Sequence, residues 1–278
     1  MIWQDWRRQF MRWSRLTLFV TLLLLTFFSC TQPTQHVSDV SLAIPALAED
    51  FHFGWLQQVV GNIKQQSVRP REVIFVLSNT TDSEAKTISR YLKYTLRPIR
   101  TLVTSSKFLS SPGKSRNRAL QLAQGEIVSF FDADDTMHPH RLEVIARAFE
   151  ASVSLQMVLH GLKYPGENLA MDVTYTSAHK VYRDELCEAH RQTLPLHAWL
   201  TSDIFRFEVA HGHLSIRKGL SNTFMFTEDM IGEDCGFVRS VLQTVCSQES
   251  RIAALYLDVP LTTYLPRYRK KILISENK

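Results

Sequence analysis

Asp132, Asp134 and Asp135 directly follow an apolar run, in the order Asp132-Ala133-Asp134-Asp135. Alternate carboxylates on a tight turn can share one hard divalent cation, and that cation in turn neutralises a diphosphate. Acidic residues after a strand also cap helices, and a helix begins near Pro139 with Leu142, Ile145, Ala146 and Phe149 on one face. A cap accounts for one Asp; a cation accounts for the cluster. A second acidic pair, Glu233-Asp234, precedes the stripe Phe237, Val238, Val241, Leu242 and Val245. Asp234 suits a helix N-cap and equally a general base, which needs hydrogen-bond reach and a solvent-poor site. Near the carboxyl end, Arg267 and Arg269 can stabilise a diphosphate leaving group or belong to a solvated or juxtamembrane basic tail.

These side chains need a frame, and the chain from Asp39 onward supplies one. A short apolar strand, Val40 to Ile44, ends in Pro45 and precedes a helix pattern from Phe53 to Gln66. Glu72 to Leu77 reads as a buried strand, followed by a turn at Ser78 to Ser83 and a helix to about Tyr94. Pro98 to Val103 is a third strand, Ser115 to Ala123 a helix, and Glu126 to Phe131 a strand running into Asp132. This β-α-β-α-β order predicts an α/β domain with an open, mostly parallel sheet and helices on both faces. Ligands of such sheets bind outside the carboxyl ends of the strands, where Asp132 falls. One domain, residues 39–265, accounts for the pattern, without repeats.

Gly113 to Leu142, GKSRNRALQLAQGEIVSFFDADDTMHPHRL, resembles the core of family 2 glycosyltransferases with the GT-A fold. The Ala-Arg-Asn helix start, the Ala-x-Gly-Glu turn and the Asp-x-Asp motif of that family recur here in order. Arg116, Asn117, Ala123, Gly125, Glu126, Asp132, Asp134 and Pro139 match, whereas Ser115 replaces the usual Ala. Gly212 to Arg217, Gly232-Glu233-Asp234 and Val259 to Tyr264 resemble the family's second half, for a coverage of about 40–145 and 208–265. The resemblance implies that Asp132 and Ala133 contact the donor ribose or sugar, with Asp134 and Asp132 at Mn²⁺ or Mg²⁺ on the nucleotide diphosphate. It places Pro45, Arg116 and Arg267 near the donor, Asp234 as the catalytic base and Glu233 beside the acceptor. The family's base-reading Asp-Asp-Gly-Ser turn is replaced by Leu77-Ser78-Asn79-Thr80-Thr81-Asp82. Ser78 or Asn79 can still hydrogen-bond a base edge, but without a carboxylate's acceptor pattern.

The 278 residues carry a formal charge of +5, with 45% hydrophobic side chains, which excludes a disordered or collagen-like chain. The surplus sits at the ends: residues 1–15 sum to +3 and residues 266–278 to +4, leaving −2 between. A basic groove for nucleic acid is therefore not expected. Leu16 to Cys30 is a fifteen-residue uncharged stretch. It spans roughly 22 Å as a helix, against a hydrocarbon core of about 30 Å. A short signal anchor fits, with a cleaved signal peptide as the alternative, although bulky Phe27 and Phe28 sit where a cleavage site wants small residues. Arginines on the amino-terminal side place residues 1–15 in the cytosol, and residues 31–38 become a stem. The catalytic domain is then extracytosolic, in the ER or Golgi lumen of a eukaryotic cell.

Cys235 and Cys246 lie eleven apart on one expected helix, roughly 16 Å, and cannot bond to each other. Cys187 can pair with either. The pairs His138/His140 and His211/His213 suggest metal ligands or, more simply, loop residues. Residues 151–207 carry no family motif, and their aromatic residues Tyr164, Tyr175, Tyr182 and Trp199 suit either packing or stacking on an acceptor sugar. No Gln-x-x-Arg-Trp element of processive polymerases occurs. The expectation is an inverting, metal-dependent, non-processive glycosyltransferase using a nucleotide sugar, a UDP-sugar first, on a glycan, protein or lipid acceptor. A degenerate GT-A domain that binds without turnover is the alternative. A nucleotidyltransferase is a further alternative, but Pro45-Ala46-Leu47-Ala48-Glu49 lacks its Gly-rich phosphate loop.

Overall fold

Alternation along the first two strands sets the architecture. In β1 (Val37–Leu47), Val40, Leu42 and Ile44 enter one apolar layer and Ala43 the other. In β2 (Arg69–Ser78), Val73, Phe75 and Leu77 face the first layer, Ile74 and Val76 the second. Strands apolar on both faces require helices on both sides. The computed structural model describes residues 36–52, 54–166, 173–181, 187, 213–229, 232–247 and 253–264. A short helix α1 (Ala48–His52) follows β1. Helices α2 (Trp55–Lys64), α3 (Asp82–Thr95) and α5 (Arg141–Ala151) line the first layer. Helices α4 (Pro112–Leu122) and α6 (Glu233–Val245) line the second. The helix expected over Phe53–Gln66 starts at Trp55, with Gly54 as its N-cap at a left-handed φ of 79°, and ends at Lys64.

β3 (Arg100–Ser105), β2, β1 and β4 (Ile127–Phe130) form a parallel ladder in that order. The sheet continues through β8 (Leu214–Arg217), β6 (Leu155–Lys163), β9 (Ala253–Thr263) and β5 (Thr136–Met137), and β7 (His179–Val181) also joins β9. Here only β6 and β9 are parallel; the pairs β4/β8, β8/β6, β9/β5 and β9/β7 are antiparallel. The expected mostly parallel sheet is thus corrected to a mixed one. β8 runs against β4 and delivers Arg217 to its amino edge, where the guanidinium pairs with Glu126 and donates to the carbonyls of Phe149, Ser152 and Leu155.

β1 does not stop at Pro45 but passes through it to Leu47. Ala43 O accepts from Phe131 N at 3.0 Å, so position 45 faces the same side two residues on. There β4 has already ended, and the N–H that proline lacks has no ladder partner to lose.

The Ala-x-Gly-Glu turn lies at the edge opposite the acidic turn and is architectural. Gly125 N donates to Ser41 Oγ at 2.8 Å, and a Cβ on Gly125 would stand 2.8 Å from Asp39 O and from Ser41 N. Ser41 Oγ donates to Glu72 Oε1 at 2.7 Å, and Glu72 also pairs with Arg100. Only glycine lets the turn approach β1 this closely.

Cys187 and Cys246 form a disulfide, which resolves the pairing, and Cys235 is a free thiol. The proposed tail and anchor at 1–15 and 16–30, residues 31–35 of the proposed stem 31–38, and the basic tail with Arg267 and Arg269 lie outside the described residues; the last two residues of that stem, Val37 and Ser38, belong to β1 instead. Among the described residues no helix is long and apolar enough to cross a membrane.

Candidate active site

The acidic turn is built by its neighbours. β4 ends at Phe130, the chain turns through Asp132–Asp135 with Asp135 N on Asp132 O at 3.2 Å, and β5 then pairs with the end of β9. Helix α2 holds the turn from beneath: Gln58 Nε2 donates to Thr136 Oγ1 at 2.7 Å, and Asn62 Nδ2 reaches Asp135 O at 3.5 Å. Gln66 donates to His138 O at 2.8 Å and accepts from Leu142 N at 3.0 Å. Gln58 and Asn62 of α2, and Gln66 two residues past its end, were not found from sequence, where they read as the polar part of an ordinary helix. Asp134 and Asp135 are buried, and the Asp132 side chain is 20% exposed.

Arg116 connects this turn to the second acidic pair. Its side chain is 2% exposed, donates to Asp132 Oδ1 at 3.0 Å and pairs with the equally enclosed Glu233. Burial opposes the guanidinium charge most strongly, but Asp132, Glu233 and Asp234 together outweigh it and raise the pKa. The guanidinium also lies 5.7 Å from the Phe226 ring centroid. Neighbouring Asn117 fixes the 224–227 segment: Nδ2 donates to Phe226 O at 2.9 Å and Oδ1 accepts from Phe226 N at 3.0 Å. A Cβ on Gly113 would meet Thr227 O at 1.9 Å, so the start of α4 admits only glycine against that segment. The Arg-Asn dipeptide therefore serves both the acidic turn and the wall beside α6.

Helix α6 opens with Gly232 as its N-cap, at φ 81°, so Asp234 stands in the first turn and is not the cap. Its Oδ1 accepts from Cys235 N at 2.8 Å, where a carboxylate also faces the positive helix end. Glu233, expected beside an acceptor, has a buried side chain paired with Arg116. Burial first, and then Asp234, push the Cys235 thiol up to about 12, which leaves it protonated and unreactive.

A second buried cation lies behind the acidic turn. Arg141 is fully buried, donates to Phe130 O at 2.8 Å and to His160 Nε2 at 3.1 Å, and packs over the Phe131 ring. Burial brings it down to about 9 despite Asp135 and Asp132. His160 is held neutral by burial and by Arg141; with Nε2 accepting, its Nδ1 donates to Gly161 O at 2.9 Å. The His213 ring follows at 5.2 Å, and Tyr264 at 6.5 Å from His213. Tyr264 is one residue beyond the pair Thr136↔Thr263, opposite Asp135. Burial, and then Asp135, Asp134 and Asp132, push its phenol up to about 12.

The His138/His140 pair is tied within its own loop and the start of α5. His138 Nδ1 accepts from His140 N at 3.1 Å, and His140 lies 3.3 Å from Glu143. His211 is outside the described residues. Among the described residues no group of three or more His, Cys, Asp or Glu side chains is arranged to hold a metal. That is compatible with Mn²⁺ or Mg²⁺ bound by one or two carboxylates plus substrate phosphates. Asp132 and Asp134 offer hard oxygen donors, and around them Asp135, Glu233 and Asp234 add charge that Arg116 and Arg141 do not balance. The residues fit the ion.

Ser78, the last residue of β2, is buried, and Asn79 after it is exposed at φ 53°. Left-handed backbone is tolerated by Asn. Thr81 then caps α3 in a capping box with Glu84. Pro45 and Ala133 lie at the same carboxyl edge, Pro45 partly exposed and Ala133 buried.

The profile describing glycosyl transferase family 2 matches residues 41–198. The chain belongs to this family. An uncharacterized glycosyltransferase of Nostoc sp. is 22% identical over 144 residues, 51% of this chain and 44% of that protein. One of Methanocaldococcus jannaschii is 25% identical over 114 residues, 41% of this chain and 39% of that protein. The chain thus spans less than half the length of these relatives. In fold it is similar to S. aureus TarS 1–349 in complex with UDP-GlcNAc, with a TM-score of 0.53, 19% identity, and coverage of 82% of this chain and 58% of that one. It is also similar to glucosyl-3-phosphoglycerate synthase of Mycobacterium tuberculosis in complex with Mn²⁺, UDP and phosphoglyceric acid, with a TM-score of 0.54, 16% identity, and coverage of 84% and 73%.

Proposed function

We propose that this chain is an inverting, metal-dependent, non-processive glycosyltransferase that moves a sugar from a nucleotide sugar, a UDP-sugar first, to an acceptor hydroxyl. The observation that carries it is Arg116, which bonds the donor-side Asp132 and the α6 carboxylate Glu233 at once. The site joins a diphosphate-side cluster to a base candidate. Asp134 and Asp132 hold the divalent ion, whose charge stabilises the diphosphate leaving group. Asp132 and Ala133 border the ribose or sugar. Asp234 takes the acceptor hydroxyl proton as that oxygen bonds the anomeric carbon; the bond from that carbon to the diphosphate breaks on the opposite face, and the configuration inverts. Glu233 and Arg116 orient Asp132 and the first turn of α6. The similar structures, TarS in complex with UDP-GlcNAc and the mycobacterial synthase in complex with Mn²⁺ and UDP, support this donor and ion.

A thermal-shift screen of nucleotide sugars with and without Mn²⁺, followed by donor hydrolysis, tests this reading. Stabilisation by a donor only with Mn²⁺, together with turnover, is expected, and Asp134→Asn is expected to abolish the metal-dependent shift. An unchanged shift removes Asp134 from the ion site. Binding without turnover of any common nucleotide sugar supports instead the degenerate domain that the lost base-reading Asp motivates.

We also propose that residues 16–30 anchor the chain in a membrane with the domain extracytosolic. The Cys187–Cys246 disulfide supports an oxidising compartment. Thiol alkylation of the protein in its own cells, before reduction, is expected to label Cys235 only after unfolding and never Cys187 or Cys246. Labelling of Cys187 and Cys246 would place the domain in a reducing compartment.

A further inference from the structure

The carboxyl edge of the sheet has a second feature that the catalytic reading does not use. The loop after β3 is tied to the turn after β2 by a closed set of hydrogen bonds. Ser106 N donates to Leu77 O at 2.9 Å, Thr80 N to Ser106 O at 3.1 Å, and Asn79 N to Phe108 O at 3.1 Å. Phe108 N in turn donates to Ser106 Oγ at 3.2 Å. The backbone of Phe108 is therefore fixed, yet its side chain is left in solvent: the residue is 81% exposed, and Leu109 beside it 58%. Isolated exposed apolar residues need no explanation. This one is an aromatic held on a braced loop at the edge where such sheets take their ligands.

Its distance from the acidic turn fits the length of a nucleotide. The strand order β3-β2-β1-β4 places the turn after β2 two strand spacings from the end of β4, about 10 Å, and the loop after β3 three spacings away, about 14 Å. With the diphosphate at Asp132 and Asp134, a nucleoside extended along the edge brings its base over Asn79 and Phe108. Asn79 supplies an amide and no carboxylate, so the two-acceptor pattern of a base-reading carboxylate is missing. An aromatic face is sequence-tolerant, because every base has a π-face to stack on it.

Building on the nucleotide-sugar reading, we propose that Phe108 is the nucleobase platform of this site and that stacking there replaces base reading, so that donors with different bases bind alike.

Isothermal titration of the detergent-solubilised full chain with UDP, GDP and pyrophosphate, each with Mn²⁺, tests the proposal. UDP and GDP are expected to bind within about threefold of each other. Phe108→Ala should weaken both by about tenfold, Phe108→Trp should retain both, and pyrophosphate affinity should be unchanged in all three proteins. An unliganded Tm equal to wild type shows that Phe108→Ala folds. Undiminished UDP and GDP binding by Phe108→Ala overturns the platform while leaving the glycosyltransferase reading intact. A preference for one nucleotide above about tenfold overturns the loss of base reading. Failure of every nucleotide to bind overturns both readings together.

Discussion

Asp234→Asn is expected to leave Mn²⁺-dependent donor binding within about twofold of wild type while lowering transfer to the acceptor by about 10²- to 10⁴-fold, the usual contribution of a positioned base. The substitution keeps the shape of the side chain and an oxygen that can accept from Cys235 N, now 2.8 Å from Oδ1. Helix α6 does not depend on Asp234 for its cap, because Gly232 holds that position. What the first turn loses is one favourable charge at the helix start, worth about 0.3–1 kcal/mol. Arg116 keeps Asp132 and Glu233 as partners. Fold and donor site should thus survive, and only proton removal should fail. Single-turnover transfer measured beside donor affinity makes the separation: transfer retained within about threefold would reduce Asp234 to a helix-terminal charge.

How much of this site was legible in the sequence depended on whether a residue's chemistry acts locally or across the fold. The acidic turn was legible because an apolar run that breaks into three carboxylates is a local pattern. The two-faced burial of β1 and β2 was legible for the same reason, since runs such as EVIFVL are apolar at consecutive positions. The pairing of Glu233 with Arg116 was not legible because the two lie 117 residues apart. No spacing rule reports that contact. Gln58, Asn62 and Gln66 were invisible because their bonds run to backbone and side-chain atoms of the turn, more than seventy residues on. The motif residues divided in an unexpected way: Arg116, Asn117, Asp132 and Asp134 border the site, whereas Gly125 and Glu126 fasten the opposite edge through Ser41 and Arg217. Motif strength and nearness to chemistry are separate properties. The mixed half of the sheet was not legible because a four-residue strand such as LSIR shows no periodicity that tells which neighbour it pairs with or in which direction.

Arg116→Met is the second substitution with a large expected effect, and it acts on stability as well as on the site. Breaking a buried pair from one side costs about 3–5 kcal/mol, because the remaining charge stays where water cannot reach it. Here two carboxylates are stranded together: Glu233, almost fully enclosed, and Asp132, whose partial exposure lets water recover some of its share. Urea unfolding should therefore show a loss near the lower end of that range, about 3 kcal/mol. Methionine fills similar volume over Phe226, so a cavity contributes little to the loss. Adding Glu233→Gln to Arg116→Met removes the better-buried of the two stranded charges and should restore part of the stability. The restored double variant should still bind donor poorly, since Asp132 has lost the guanidinium that aims it. A single variant as stable as wild type would mean that Glu233 and Asp132 do not depend on Arg116. Full donor affinity in the double variant would show that Arg116 holds the fold but does not organise the donor turn.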